Sequence, residues 1–305
     1  MRPVVQRSLL QSGPATPLVK PAILAKGFRP FFLLAAAQAA VVMPIWVLAL
    51  RGGMNPGAYF GATFWHAHEM LFGFALAVIA GFLLTAIGNW TSRETATGKL
   101  LAVLAAVWLA GRVAPLVADR LPRFVPAAVD LAFLPLLAWA CARPIVTARN
   151  QRNYQFVVML SLLFLGNLAM HLGSLGIWAE GSRKGAWLAT YVIIAMIVVM
   201  TARVVPMFTR NATDQQTIRN QPRLDTAAIA GVVGAALADL ASFDERIVGA
   251  LAALAGILVL ARSLTWGTLH TFRSPLLWIL HLGHGFIALG FLLRASMAVT
   301  PAFTA

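Results

Sequence analysis

Five of the six histidines in this 305-residue chain lie inside long apolar runs: His66, His68, His171, His281 and His284. Neutral imidazole ligates haem iron, copper and zinc. An ionisable side chain in a bilayer-length run costs about 3 kcal/mol on insertion scales unless it is paired or lines a cavity. These five are therefore the first candidates for a site. The single cysteine, Cys141, leaves no intramolecular disulfide and no thiolate cluster, so a metal must be held by His, Met, carboxylate or a cofactor.

Spacing divides the candidates. In Trp65-His66-Ala67-His68-Glu69-Met70, helical geometry puts His66, Glu69 and Met70 on one face, with His68 roughly 160° away. Helix-start histidines with Glu69 as an N-terminal anion are the plain alternative. In Leu280-His281-Leu282-Gly283-His284-Gly285 an i, i+3 pair can ligate one ion or line one pocket, and the glycines leave room for a bulky planar group or a closely packed helix. His171 follows Asn167 by one turn, on a shared face. His270 falls in a loop and reads as solvated. Arg112, Arg203 and Arg294 sit near helix ends, where arginines snorkel to the interface or hold a carboxylate such as a haem propionate. Asp130 is the buried acid that a pairing with Arg112 would satisfy.

Covalent c-type haem is excluded, because Cys-x-x-Cys-His does not occur. Neither a Walker-type glycine loop nor Gly-x-Ser-x-Gly is present, so ATP-driven transport and serine-hydrolase chemistry have no support.

The elements that must carry these residues are membrane spans. The chain is 60% hydrophobic and 11% charged, far below the roughly 25% charged residues of soluble domains. Apolar runs predict an all-α polytopic transmembrane helical bundle of about nine spans: 31–50, 65–87, 100–117, 124–142, 154–177, 186–206, 225–241, 247–264 and 275–297. Residues 1–30 read as a basic cytoplasmic N-terminal arm, 31–297 as the helical domain and 298–305 as a short tail. The net charge of +14 comes from 24 Lys and Arg against 10 Asp and Glu. In this setting it marks loops against anionic lipid, not nucleic acid. With the N-terminus inside, sixteen basic residues, Arg262 among them, fall on the inner side and six on the outer.

Several blocks together resemble the NnrS family. They are Gly27-Phe28-Arg29-Pro30-Phe31-Phe32, then Trp65-His66-Ala67-His68-Glu69-Met70-Leu71-Phe72-Gly73-Phe74, then Ala80-Gly81-Phe82-Leu83-Leu84-Thr85-Ala86 with Asn89-Trp90-Thr91. Arg203-Val204-Val205-Pro206-Met207-Phe208-Thr209-Arg210-Asn211 and Pro275-Leu276-Leu277-Trp278-Ile279-Leu280-His281-Leu282 extend the resemblance over about residues 25–295. It implies a bacterial cell inner-membrane protein that binds haem b and copper and serves the nitric oxide response, denitrification or nitrosative-stress tolerance. The family usually has about twelve spans, so the resemblance also implies that this chain is short by some three helices.

The expected cofactor set is therefore His66, His68, His171, His281, His284 and Arg112, and the expected metal set His66, His68, Glu69, Met70, His281 and His284. Nitric oxide is the expected ligand, and a respiratory or denitrification complex an expected partner. Two other classes compete: a metal or haem transporter using the intramembrane histidines, and an assembly partner of a respiratory complex. No reaction is assigned by the sequence.

Overall fold

The computed structural model describes residues 22–53, 56, 58–215, 218 and 221–299. Most of the basic arm, Arg219 and the tail from residue 300 onward lie outside the described residues. Every described element is helical. This follows from the solvent, because a chain in hydrocarbon must satisfy its backbone N–H and C=O groups within the segment itself.

The helices run α1 Phe28–Leu50, α2 Ala62–His68, α3 Leu76–Thr91, α4 Gly98–Val113, α5 Val125–Leu131, α6 Phe133–Thr147, α7 Tyr154–Ser174, α8 Gly181–Thr213, α9 Pro222–Leu240, α10 Glu245–Leu264 and α11 Pro275–Met297. A π-helical turn, Glu69–Ala75, joins α2 to α3 in one rod, and a 3-10 turn, Ala114–Arg120, extends α4. Eight rods are long and apolar enough to cross a membrane, so the chain is a multi-pass membrane protein. The remaining long helix, α9, carries Arg223, Asp225 and Asp239. It is packed against α8 and α10. Several helices outrun the apolar stretch that announced them. The clearest is α8, 33 residues against an expected 186–206, because hydropathy marks where lipid lies and not where a helix ends. At 1.5 Å per residue α8 is about 50 Å long, well beyond the hydrocarbon core.

Two apolar cores result, and α8 belongs to both. Phe31, Phe72, Leu84, Trp108, Leu137 and Leu160 anchor the larger. Val198, Val232, Val259, Ala288 and Phe291 anchor the smaller, formed by α8 to α11. Lipid tails supply no hydrophobic drive between helices, so close backbone approach must do the work. At the α7–α8 contact, a Cβ placed on Gly166 would stand 3.0 Å from the Gly185 carbonyl oxygen. These small residues let α7 and α8 touch along the length that sets the position of His171.

Candidate metal centre

The best-formed polar cluster lies where α2, the π-turn, α4, α5 and α7 meet. His68, the last residue of α2, is fully buried. Its Nε2 stands 3.1 Å from Asp130 Oδ2 and 2.9 Å from Asn167 Oδ1, and its Nδ1 stands 3.3 Å from Glu69 Oε1. His171 on α7 places Nε2 2.9 Å from the same Asp130 Oδ2 and Nδ1 3.0 Å from the Tyr59 hydroxyl. Asn167 donates to that Asp130 oxygen at 2.7 Å. Arg112 donates through Nη2 to Asp130 Oδ1 and through Nη1 to Glu69 Oε1 at 3.0 Å. Glu69 also accepts from Gln38 of α1.

Local sequence explains the convergence. The π-turn beginning at Glu69 widens the rod there, and such turns concentrate at functional sites. Gly111, beside Arg112, faces Asp130 directly: a Cβ there would stand 2.5 Å from Oδ1. Only glycine lets α5 come this close to α4. Asn167 and His171, one turn apart on α7, present adjacent polar groups to the carboxylate.

Donor atoms of His68, Asp130 and His171 all lie within 4.8 Å of one another, and all three residues are buried. Two imidazoles and a carboxylate suit a borderline first-row ion such as copper or zinc. Charge agrees. With neutral imidazoles, Glu69, Asp130 and Arg112 sum to one negative charge, which a bound cation or a proton on His68 would balance. Haem b does not fit the same cluster. Phe60 stacks on the His68 ring at 4.3 Å and Phe72 lies 5.2 Å away, while both ring nitrogens are held by polar side chains, so a macrocycle has no slot.

The expected shared face of His66 and Glu69 is turned to α1, where His66 meets Trp46 and Glu69 accepts from Gln38. Glu69 turns to His68 and Arg112, Met70 packs against the apolar core, and His66 lies flat on Trp46 with ring centroids 4.4 Å apart and planes 7° from parallel. His66 keeps its Nδ1 buried with no hydrogen-bond partner. Arg112 does not snorkel. It is buried and takes the pairing with Asp130 that its place near the end of α4 allowed.

His281 and His284 are both buried and both rings pack against Trp266, with centroids 6.0 and 4.7 Å away, but their nitrogens meet different partners. His281 lies between Thr209, at 3.1 Å, and Thr268, at 2.9 Å, whereas His284 Nε2 faces Arg262 Nη2 at 3.2 Å. Arg262, expected in an inner loop, is instead fully buried at the end of α10. It donates to the Val198 carbonyl and to Thr201, and lies over Trp266. A guanidinium against His284 Nε2 disfavours a cation there. Arg294 is anchored by Asp239 and Glu245 at 3.0 and 2.9 Å, and His270 is exposed, as expected. Along α8, the His171 level lies near Ser182, which donates to the Met170 carbonyl, and the His284 level at Thr201. Nineteen residues of helix put these levels about 28 Å apart, too far for the two groups to share one ion or one haem.

Two members of the arrangement escaped the sequence reading. Arg262 closes an apolar run with Trp266 one turn on, a signal that a cation at a helix end can also be a buried one. Tyr59, in the loop before α2, carried no signal at all. Its hydroxyl is pushed up to about 12 from an ordinary value of 10.0, chiefly by burial.

Against known proteins, the family model described as NnrS protein matches residues 22–305. No curated protein matches the chain, and no solved structure does.

Proposed function

The chain belongs to the NnrS family, and from that premise we propose that it is a bacterial inner-membrane protein of the nitric oxide response, holding a copper-type ion between His68, Asp130 and His171. The observation that carries this reading is the convergence of those three donors within 4.8 Å inside the bundle. Glu69 and Arg112 set the charge of the enclosure, and Asn167 and Tyr59 orient the imidazoles. Second-shell contacts of this kind fix ring orientation and ligand basicity. When bound, the ion would supply an electron-accepting centre for a small diatomic ligand such as nitric oxide.

Haem b is the second reading, and one observation favours it. His66 Nδ1 is a buried imidazole nitrogen without a partner, so His66 is the histidine free to take an axial role. The visible spectrum of the detergent-purified protein separates the two. A copper-loaded protein without a Soret band supports the first reading; a Soret band abolished by His66→Ala and untouched by His171→Ala supports the second. Nitric oxide tolerance of a deletion strain tests the physiological part. The wild-type chain restores it and His68→Ala does not; equal restoration by both would overturn the assignment of the site to that response.

A further inference from the structure

Where α7 begins and α8 nears its end, a cleft of about 460 Å³ opens on the side of the bundle, walled by Trp90, Arg152, Asn153, Arg203, Met207 and Arg210. Three guanidiniums line it and no carboxylate does. Arg112, Arg183, Arg262 and Arg294 each face an acidic partner. Among the described residues, Arg152, Arg203 and Arg210 have none.

These cations are nonetheless held in place. Arg203 donates to Asn153 Oδ1 at 3.0 Å and lies over the Phe156 ring at 5.6 Å, and Phe156 in turn stacks on Trp90. Arg210 donates to the Ile218 carbonyl at 3.2 Å. A guanidinium carries five N–H donors in a fixed fork, so both arginines keep donors free. Seven residues apart on α8, they share a face and stand about 10 Å apart along its axis. Between and beside them run Met200, Val204 and Met207, an apolar strip along the same helix.

We propose that this cleft binds the phosphate group of an anionic phospholipid, with Arg203 and Arg210 on the phosphate and the methionine strip against an acyl chain. A planar fork presented to an anion is the geometry that favours bidentate phosphate contacts, and basic pockets between transmembrane helices are where acidic headgroups lodge. A free phosphate would use the same guanidiniums and leave the apolar strip idle, which is why the lipid is the chosen source. The site is separate from the His68, Asp130 and His171 cluster and does not depend on it.

The test uses the full chain, delipidated in detergent and returned to phosphatidylglycerol, cardiolipin, phosphatidylcholine or inorganic phosphate alone, with bound lipid read by native mass spectrometry and stability by thermal unfolding. Phosphatidylglycerol or cardiolipin is retained and raises the unfolding temperature, whereas phosphatidylcholine is not retained. Arg203→Gln with Arg210→Gln lowers retention about ten-fold, the weight of lost charge-assisted hydrogen bonds. The rise in unfolding temperature on adding phosphatidylglycerol, measured against each protein's own lipid-free value, is lost in the double variant. Inorganic phosphate that displaces the lipid and gives the same stabilisation supports the phosphate site with the free ion as its source. If the double variant does not insert, Arg210→Gln alone is read in the same way. Phosphatidylcholine retained as well as phosphatidylglycerol, or anionic lipid retained equally by the variants, overturns the proposal.

Discussion

His68 and His171 turn their Nε2 atoms onto one oxygen, Oδ2 of Asp130, at 3.1 and 2.9 Å, although 103 positions separate them in the chain. Neither histidine has its other nitrogen idle, since Glu69 faces the first and Tyr59 the second. Two imidazoles aimed at a single carboxylate oxygen inside a lipid-embedded bundle are the geometry on which the proposed copper site rests.

Removing either imidazole should therefore disable the centre without dismantling the bundle. His68→Ala and His171→Ala are each expected to lower copper affinity by more than about 100-fold, beyond the 10–100-fold typical of losing an outer-shell partner. Competitive titration against a chelator of known affinity measures this, with circular dichroism confirming unchanged helicity. Asn167→Ala, which removes only an orienting contact, should fall within that 10–100-fold range.

Arg112 and Asp130 form a buried ion pair between α4 and α5, with side chains 7% and 2% exposed. Breaking such a pair from one side leaves an uncompensated charge and costs about 3–5 kcal/mol. Arg112→Gln should lower the unfolding transition of the metal-free protein accordingly. Arg112→Met combined with Asp130→Leu should cost less than the sum of the single changes, because the two facing charges leave together and only Glu69 loses a partner. Additive losses in that double-mutant cycle would mean the two residues do not act as a pair.

How far the sequence foretold this arrangement depends on the residue. Apolar runs located every long rod, and the helical spacing of Asn167 and His171 correctly put both on one face of α7. The same spacing turns His66 and Glu69 toward Trp46 and Gln38 of α1 and His68 away to Asp130, while the π-turn that follows at Glu69 is announced by no residue type. Asp130 and Arg112 were legible as a pair only because few charges lie within spans. Arg262 was misplaced because a cation ending an apolar run reads equally as a loop or as a buried clamp. The meeting of α2, α4, α5 and α7 depends on tertiary packing, which no local pattern encodes.

Gly111 offers a test of that packing. Gly111→Ala would press a methyl group against Asp130, whose Oδ1 lies 2.5 Å from the position it must take. Overpacking of this kind costs about 1–3 kcal/mol, and here it also moves one of the three proposed copper ligands. Thermal unfolding should show the first effect and weakened copper binding the second. A variant that binds copper as tightly as wild type would show that α4 and α5 need not approach so closely.

Tyr59 predicts a signature in alkaline solution. Burial lifts its hydroxyl to about 12 from 10.0, so the folded chain holds that proton more tightly than the unfolded chain. The stability this contributes is fully present below pH 10.0 and is lost as pH rises toward about 12. Tyr59→Phe should remove that part of the alkaline decline, as read from unfolding transitions across this window. An identical decline in both proteins would sink the assignment.

Arg262 ties α10 to the Val198 carbonyl and Thr201 of α8 and to His284 of α11. Arg262→Met should loosen the smaller core while leaving copper binding at His68 and His171 intact, since the two levels are about 28 Å apart along α8. Hydrogen exchange should speed up in α9 to α11 and stay unchanged in α2 to α7. Exchange accelerated equally throughout would show that the two cores unfold as one unit.

X-ray absorption at the copper edge of the loaded, detergent-purified protein tests the central claim most directly. A centre with nitrogen and oxygen ligands, two of them imidazoles, is expected, in which His171→Ala leaves one imidazole and His281→Ala leaves both. A copper site with sulfur ligands, or one whose imidazole signal is unaltered by His171→Ala, would contradict it.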